Sequence, residues 1–476
     1  MSMRLTPDIC VIGAGSGGLS VAAAAAAFGV SVVLVEKGRM GGDCLNHGCV
    51  PSKALIAAGN RAHAMRQAGA LGIAAVEPEI DFRQVHRHVH DVIASIAPND
   101  SVERFTALGV RVVQAEARFT DRRTVMAGDV EIRARRFVIA TGSRPAVPPV
   151  PGIEEVDALT NETIFDLRRL PPRLVVIGGG PTGLELAQAY RRLGSEVTVI
   201  DAAAALAGDD PELVAIILDR LRAEGIAILE RTVVERIERR GRTGVRLHLR
   251  QGGDRPLTID GSHLLLAAGR IPNLEGLDLD KAGIAASPRG IAVSDTLRTA
   301  NRRVYAIGDV VGGHGSTHAA NYHAGLVIRA ILFRLKARQA PAIVPRATWT
   351  DPGIAQVGLS EADSRARRGR IAVLRWPCAE NDRARAERAA AGLVKLVADR
   401  KGRILGAGIV GANAGELIAP WALAVEKGYR LRDMVGYVPA YPTMGEIGKR
   451  AAISYFAGAA RRPGVRRLIR FLRMFG

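Results

Sequence analysis

Cysteine is scarce, with four residues in a chain of 476. So few cannot staple a chain of this length. That excludes a disulfide-dense secreted scaffold and leaves folding to the burial of apolar surface. Aromatic residues make up only 4%. They are not interleaved with basic residues in the way that stacks nucleic-acid bases, so no nucleic-acid partner is expected. Acid is also short: 47 Asp+Glu against 66 Lys+Arg leave a formal charge of +19. The excess is almost entirely arginine and reads as solvated surface charge, although it permits contact with an anionic membrane. What is plentiful is apolar material, 48% of residues, which excludes a disordered or collagen-like chain. The length suits two to four domains of ~100–200 residues each.

One run looks long enough to span a bilayer. Ile9 to Val35 has no charged residue. Five glycines, Gly13, Gly15, Gly17, Gly18 and Gly29, punctuate it, and both ends are strand-like. It therefore reads as strand, tight turn, Ala-rich buried helix and strand, not as a membrane helix. Met1–Pro7 carries Arg4 but no apolar core, so a secretory signal is not expected and the default address is cytoplasmic.

The chain repeats itself once. Gly13-x-Gly15-x-x-Gly18 follows a short apolar strand, and Glu36 ends the next strand. Gly178-x-Gly180-x-x-Gly183 follows a second strand, and Asp201 falls at the same offset. The first Gly of such a loop makes the turn, and the second clears the backbone for a pyrophosphate. The third packs helix on strand, and the acid accepts hydrogen bonds from a ribose. Two matched copies imply two dinucleotides. Asp201 suits a ribose 2′-OH, and no Lys or Arg occurs from Ala202 to Asp219 to clamp a 2′-phosphate, which favours NADH over NADPH. Val138–Pro145 (VIATGSRP) and Leu265–Pro272 (LLAAGRIP) echo each other as strands ending in small-residue turns. Such turns suit a chain passing close to a ligand or crossing between domains. Pro145–Pro151 reads as a linker.

Gly41–Lys53 reads GGDCLNHGCVPSK. The Cys44–Cys49 spacing exceeds that of a zinc ribbon, and no second pair completes four ligands, so no metal site is expected. His47 reads as a solvent-facing loop residue. A cysteine at a helix start sits in positive partial charge and favours thiolate, so the pair reads as a reversible disulfide. Cys10, in the first strand, and Cys378 read as inert.

These motifs, together with Ala267–Asn273 (AAGRIPN) and Tyr305–Val310 (YAIGDV), resemble the flavin-dependent pyridine nucleotide-disulfide oxidoreductases. That family includes dihydrolipoamide dehydrogenase, glutathione reductase and mercuric reductase. The resemblance runs from about Ile9 to Phe456. It implies two doubly wound, Rossmann-like α/β domains and a C-terminal α+β dimerisation domain. The expected boundaries are an FAD domain over 1–150, an NAD(P) domain over 151–272, a central domain over 273–342 and a dimerisation domain over 343–460, the last opening at Val344–Leu359. It further implies a homodimer. FAD would be held by Gly13, Gly15, Gly18, Glu36, Gly42, Asp43, Ala117, Thr141, Gly142, Ser143, Asp309 and Thr317. The nicotinamide nucleotide would be held by Gly178, Gly180, Gly183, Asp201 and Gly269. Cys49 would lie against the flavin and Cys44 would meet the substrate. Lys53 would approach the flavin and pair with Glu185.

The chain departs from the family pattern near its end. The disulfide-reducing members place His-Pro-Thr-x-x-Glu in the partner's active site, where the His handles the substrate thiol's proton. Here the segment is Tyr441-Pro442-Thr443-Met444-Gly445-Glu446. A phenol with an ordinary pKa near ~10 is a poor base at neutral pH. Tyr at this position is similar to mercuric reductase, and a soft metal ion binds thiolates directly. However, no cysteine follows Cys378, whereas mercuric reductases carry a C-terminal pair. The tail 461–476 holds six arginines among apolar residues and reads as a basic amphipathic helix.

The expected activity is NAD(P)H-dependent reduction of a disulfide, metal ion or other small thiol-reactive acceptor. Two alternatives stand beside it. One is an NADH:quinone-type reductase at the inner membrane surface, reached through the tail, that does not need the cysteines. The other is a non-enzymatic redox sensor.

Overall fold

The computed structural model describes residues 3–252, 255–313, 315–458 and 463–475. They form two compact units. The first runs to Ala202 and resumes over Leu229–Gln339, and the second joins Ala203–Ile228 to the chain from Ala340 onward.

The first unit is built on a five-stranded parallel sheet. Its order is Val304–Ala306, Arg136–Ile139, Ile9–Ile12, Val32–Glu36 and Val110–Gln114. The uncharged run resolves into the expected strand, helix Ser16–Ala27 and strand. Alternation along each strand sends side chains to opposite faces. Ile9, Val11 and Leu34 pack on one side with helices Ser16–Ala27 and Thr317–Leu332. Cys10, Ile12, Val33 and Val35 pack on the other with Phe119 and Phe137. Those two rings meet edge to face at 5.5 Å and are fully buried. Truncating either to Ala would cost about 3–5 kcal/mol. Helix Ser16–Ala27 buries Val21, Ala22 and Ala25, and its small side chains let it lie close against Thr317–Leu332.

The second dinucleotide fold repeats the plan in the same unit. Strands Glu196–Ile200, Arg173–Ile177 and His263–Leu266 run parallel in that order, with helix Pro181–Leu193 between the first two in sequence. Beside them lies the antiparallel sheet Thr232–Arg240, Gly244–Gln251 and Arg255–Gly261. The two echoing segments pair with each other: Ser143–Pro145 and Arg270–Pro272 form an antiparallel ribbon, Pro272 opposite Ser143.

The second unit carries a five-stranded antiparallel sheet ordered Arg346–Thr348, Gly353–Gly358, Ile404–Gly411, Leu393–Asp399 and Ile371–Pro377. Helix Pro211–Ala223, from the segment that the sequence reading groups with the NAD(P) domain, packs on Ile404–Gly411 of this sheet. The tail forms helix Pro463–Leu472. Pro463 suits its first turn, where a backbone N–H is not needed. Residues Arg461, Arg462 and Gly476 of the expected tail lie outside the described residues. Among the described residues, no helix is long and apolar enough to cross a membrane.

Candidate active site

The two glycine loops are built alike. Gly13 has φ +105°, and a Cβ there would stand 2.4 Å from the Ala140 carbonyl oxygen. Gly178 has φ +117°, with its Cβ position 2.3 Å from the Ala267 carbonyl. Gly18 and Gly183 lie so close to Gly13 and Gly178 that any Cβ would fall 1.9 Å from a carbonyl oxygen. A Cβ on Gly180 would meet open space, and one on Gly15 would touch only the Gly42 Cα, at 4.0 Å. Gly15 and Gly180 are also the N-caps of helices Ser16–Ala27 and Pro181–Leu193, which have neither a side-chain cap nor an acid in the first turn. Each helix therefore presents unpaired backbone N–H groups and positive partial charge to the loop, as a pyrophosphate requires. The two acids behave as a pair. Glu36 accepts from the Ala14 and Gly38 amides at 2.6 and 2.7 Å, and Asp201 accepts from the Gly179 amide at 2.7 Å. The chain thus fits two dinucleotides.

The cysteines lie just beyond the first loop. Cys44 is in the short helix Gly42–Asn46, and Cys49 is the first residue of helix Cys49–Gln67. Both are free thiols, Cys44 half-buried and Cys49 exposed. The Cys44 thiol hydrogen-bonds the Cys49 sulfur. Chiefly through that bond, and further through Thr317 and Lys53, the Cys49 thiol is lowered to about 6. The Cys44 thiol is pushed up by the same bond and by burial. The Thr317 hydroxyl is 3.4 Å from the Cys49 sulfur. Lys53 lies one helical turn after Cys49, on the same face. Its Nζ is 2.7 Å from the Glu185 carboxylate, a buried group on helix Pro181–Leu193. Cys10 and Cys378 are buried and their thiols are raised by desolvation, Cys378 to about 11. His47 ends helix Gly42–Asn46 and is half-buried.

A polar network binds the remaining residues together. Ser143 donates to Asp309 at 2.6 Å. Arg270 donates to the Ser143 hydroxyl and carbonyl at 2.7 and 2.8 Å, and lies 3.3 Å from Asp43 and 3.8 Å from Asp309. Asn161 donates to Asp43 at 3.0 Å. Thr141 donates to the Asn273 carbonyl at 2.8 Å, and the Asn273 amide nitrogen donates to the Gly142 carbonyl at 3.0 Å. The Gly269 carbonyl accepts from the Ala146 amide at 2.9 Å. Ala117 is buried at the start of strand Ala117–Asp121, opposite Ala127. Arg270, Asn161, Asn273 and His323, which accepts from the Gly308 amide at 3.2 Å, were not singled out by sequence. Arg270 and Asn273 lie inside AAGRIPN, so a reading of that motif beyond Gly269 would have found them. Asn161 and His323 belong to no motif.

Tyr441 and Glu446 lie in the second unit. Tyr441 is 68% exposed and donates to Asp382 at 2.8 Å. That carboxylate holds the phenol above its ordinary value, which disfavours its acting as a base. Glu446 accepts from Arg450 at 2.9 Å.

Two dinucleotide folds in one unit, with a pair of free cysteines beside the first, fit the class of the flavin-type disulfide reductases. Residues 7–324 match the family model "pyridine nucleotide-disulphide oxidoreductase", and residues 344–452 match the dimerisation domain of that family. The chain belongs to the pyridine nucleotide-disulphide oxidoreductases. It is 34% identical over 451 residues to a mercuric reductase of Bacillus cereus, covering 94% of this chain and 71% of that one. It is 36% identical over 454 residues to a dihydrolipoyl dehydrogenase of Geobacillus stearothermophilus, covering 94% and 95%. The crystal structure of LpdA from Mycobacterium tuberculosis superposes with a TM-score of 0.87 at 26% identity, covering 96% of this chain and all of that one. The protein is thus an enzyme of the FAD-dependent pyridine nucleotide oxidoreductase type, and its dimerisation domain supports a homodimer.

Proposed function

We propose that this enzyme uses NADH in preference to NADPH and delivers its reducing equivalents through Cys44 and Cys49. The acceptor is a disulfide, a metal ion or another thiol-reactive small molecule, in the manner of a mercuric reductase. The observation that carries the reading is the asymmetry of the pair, with Cys49 acidified and Cys44 held protonated beside it.

FAD would be held by the Gly13–Gly18 loop, Glu36, the Gly42–Asp43 turn, Ala117, Thr141–Ser143, Asp309 and Thr317. NADH would be held by the Gly178–Gly183 loop, Asp201 and Gly269. When bound, the flavin supplies the two-electron exchange between nicotinamide and sulfur that no side chain can perform. The protein's own part is to manage charge and protons at sulfur. Lys53 and Thr317 stabilise negative charge on Cys49, and Glu185 fixes Lys53 in place. Passing the Cys44 proton to Cys49 exposes a Cys44 thiolate, which is a nucleophile toward disulfides and a soft ligand toward metal ions. Closing the Cys44–Cys49 disulfide then releases two electrons to the acceptor. Tyr441, with its phenol tied to Asp382, gives little general-base help. That favours an acceptor that binds thiolate without needing a proton removed.

Anaerobic titration of the purified enzyme with NADH tests the reading. The expected result is a long-wavelength thiolate-to-flavin absorbance band that is absent in Cys49→Ser. Flavin that bleaches with no band would disconnect the cysteines from the reaction and favour the quinone alternative. Absence of flavin after reconstitution would remove the mechanism altogether.

A further inference from the structure

The last acid in the chain is Glu446; from Ile447 to Gly476 there are eight Lys or Arg residues and no Asp or Glu. The last described segment is helix Pro463–Leu472. Its path continues through backbone bonds from Arg473, Met474 and Phe475 to the carbonyls of Ile469, Phe471 and Leu472. At 100° per residue, Val465, Leu468, Ile469, Leu472 and Phe475 share one side, with Phe471 at its edge. Arg466, Arg467, Arg470 and Arg473 share the other.

The apolar side has no cover from the chain's described residues. The helix buries none of its residues. Leu468, Ile469, Phe471 and Leu472 are each more than half exposed, and Phe475 is 74% exposed. An isolated helix of this length is marginal in water, so whatever covers its apolar side supplies much of its stability. Charge selects among the candidate covers. A second copy of the tail would bring six cations against six. An anionic lipid surface brings the opposite sign. It also accepts apolar side chains at the acyl boundary while the guanidinium groups stay among the headgroups.

We propose that this helix docks the enzyme on an anionic lipid surface, lying in the plane of the interface. The large apolar residues enter the acyl boundary and the four arginines face the phosphates.

Flotation of the full-length holoenzyme with vesicles tests this. One set is phosphatidylcholine alone, and the other adds phosphatidylglycerol. The expected result is binding to the anionic set only, weakened by salt. Arg467→Gln with Arg470→Gln should weaken it by about fivefold per arginine removed. Leu468→Glu with Phe471→Glu, or a chain ending at Gly458, should abolish it, with flavin content and NADH oxidation in lipid-free buffer unchanged. Three results overturn the proposal. The first is no partition to anionic vesicles, or equal partition to both sets. The second is binding that survives removal of the tail. The third is a full-length chain that elutes larger than the shortened one in lipid-free buffer, with Leu468→Glu/Phe471→Glu reversing the difference. That last result would show protein covering the face.

Discussion

At the scale of single residues, the proposed mechanism depends on a division of labour between two sulfurs. Cys49 starts a helix, meets the Cys44 thiol and the Thr317 hydroxyl, and has Lys53 one turn away. Its folded-state value of about 6 lies below that of an ordinary thiol. The thiolate therefore exists above pH 6 and is lost as pH falls through it. Iodoacetamide should alkylate Cys49 of the reduced protein, in Cys44→Ser and wild-type backgrounds alike, with a sigmoidal pH profile. The wild-type midpoint should fall near 6. Because the Cys44 bond is the largest acidifying cause, Cys44→Ser should move the midpoint up, and Thr317→Val should move it up by less. A wild-type midpoint at the ordinary thiol value would refute the assigned asymmetry. Residues of this kind were partly legible in sequence. The glycines were, because a tight turn and a 1.9 Å approach admit no other side chain. The cysteines were, because their chemistry is rare. Asn161 was not, because it reaches Asp43 across a separation of 118 residues and no local spacing records such a contact.

At the scale of elements, the two dinucleotide folds were legible because both use the same strand–glycine–helix–strand grammar. The second unit hid its main polar feature. Strand Leu393–Asp399 is apolar up to its closing Asp399 except for Lys395, which in a half-exposed strand would face water. Instead both faces are covered and the Lys395 side chain is 6% exposed. Its Nζ lies 2.7 Å from Asp210 and 3.0 Å from both Glu212 and Glu361. Asp210 caps helix Pro211–Ala223, accepting from the Glu212 amide at 3.0 Å, so the lysine ties that helix to the sheet. Removing one partner of a buried cluster leaves charge uncompensated and costs about 3–5 kcal/mol. Lys395→Ala should lower the urea midpoint accordingly, without changing the absorbance of bound flavin. Acid acts on the same cluster. Hydrogen bonds from Arg365 and then Lys395 hold Glu361 at about 2. A carboxyl depressed in the folded state stabilises above its unfolded pKa of ~4.3, and that stability is lost as pH falls toward the folded value. Wild-type stability should therefore decline from about pH 4.5 downward, as followed by urea melts at stepped pH. A flat profile there would mean the cluster carries no net stability.

At the scale of the whole molecule, the sequence announced the family over nearly its full length, and the proposed choice of acceptor class turns on the segment Tyr441–Glu446. The family resemblance implies a histidine there in the disulfide-reducing members, and this chain has a tyrosine whose hydroxyl is bound to Asp382. A positioned general base contributes typically about 10²–10⁴ in rate. Tyr441→His should therefore raise kcat/KM for a small disulfide or dihydrolipoamide, by at least about tenfold even with imperfect geometry. It should also introduce a pH dependence near the imidazole value of ~6.5. Reduction of a thiophilic metal ion, which needs no thiol proton removed, should change little. Tyr441→Phe is the companion variant, since it deletes the hydroxyl and its bond to Asp382 while keeping the ring. If phenylalanine matches tyrosine and histidine gains on disulfides alone, position 441 selects the acceptor class by withholding a base. If histidine gains nothing on any disulfide while the protein stays dimeric and flavin-loaded, the segment does not reach the thiols. The acceptor preference would then have to be sought in the residues around Cys44 itself.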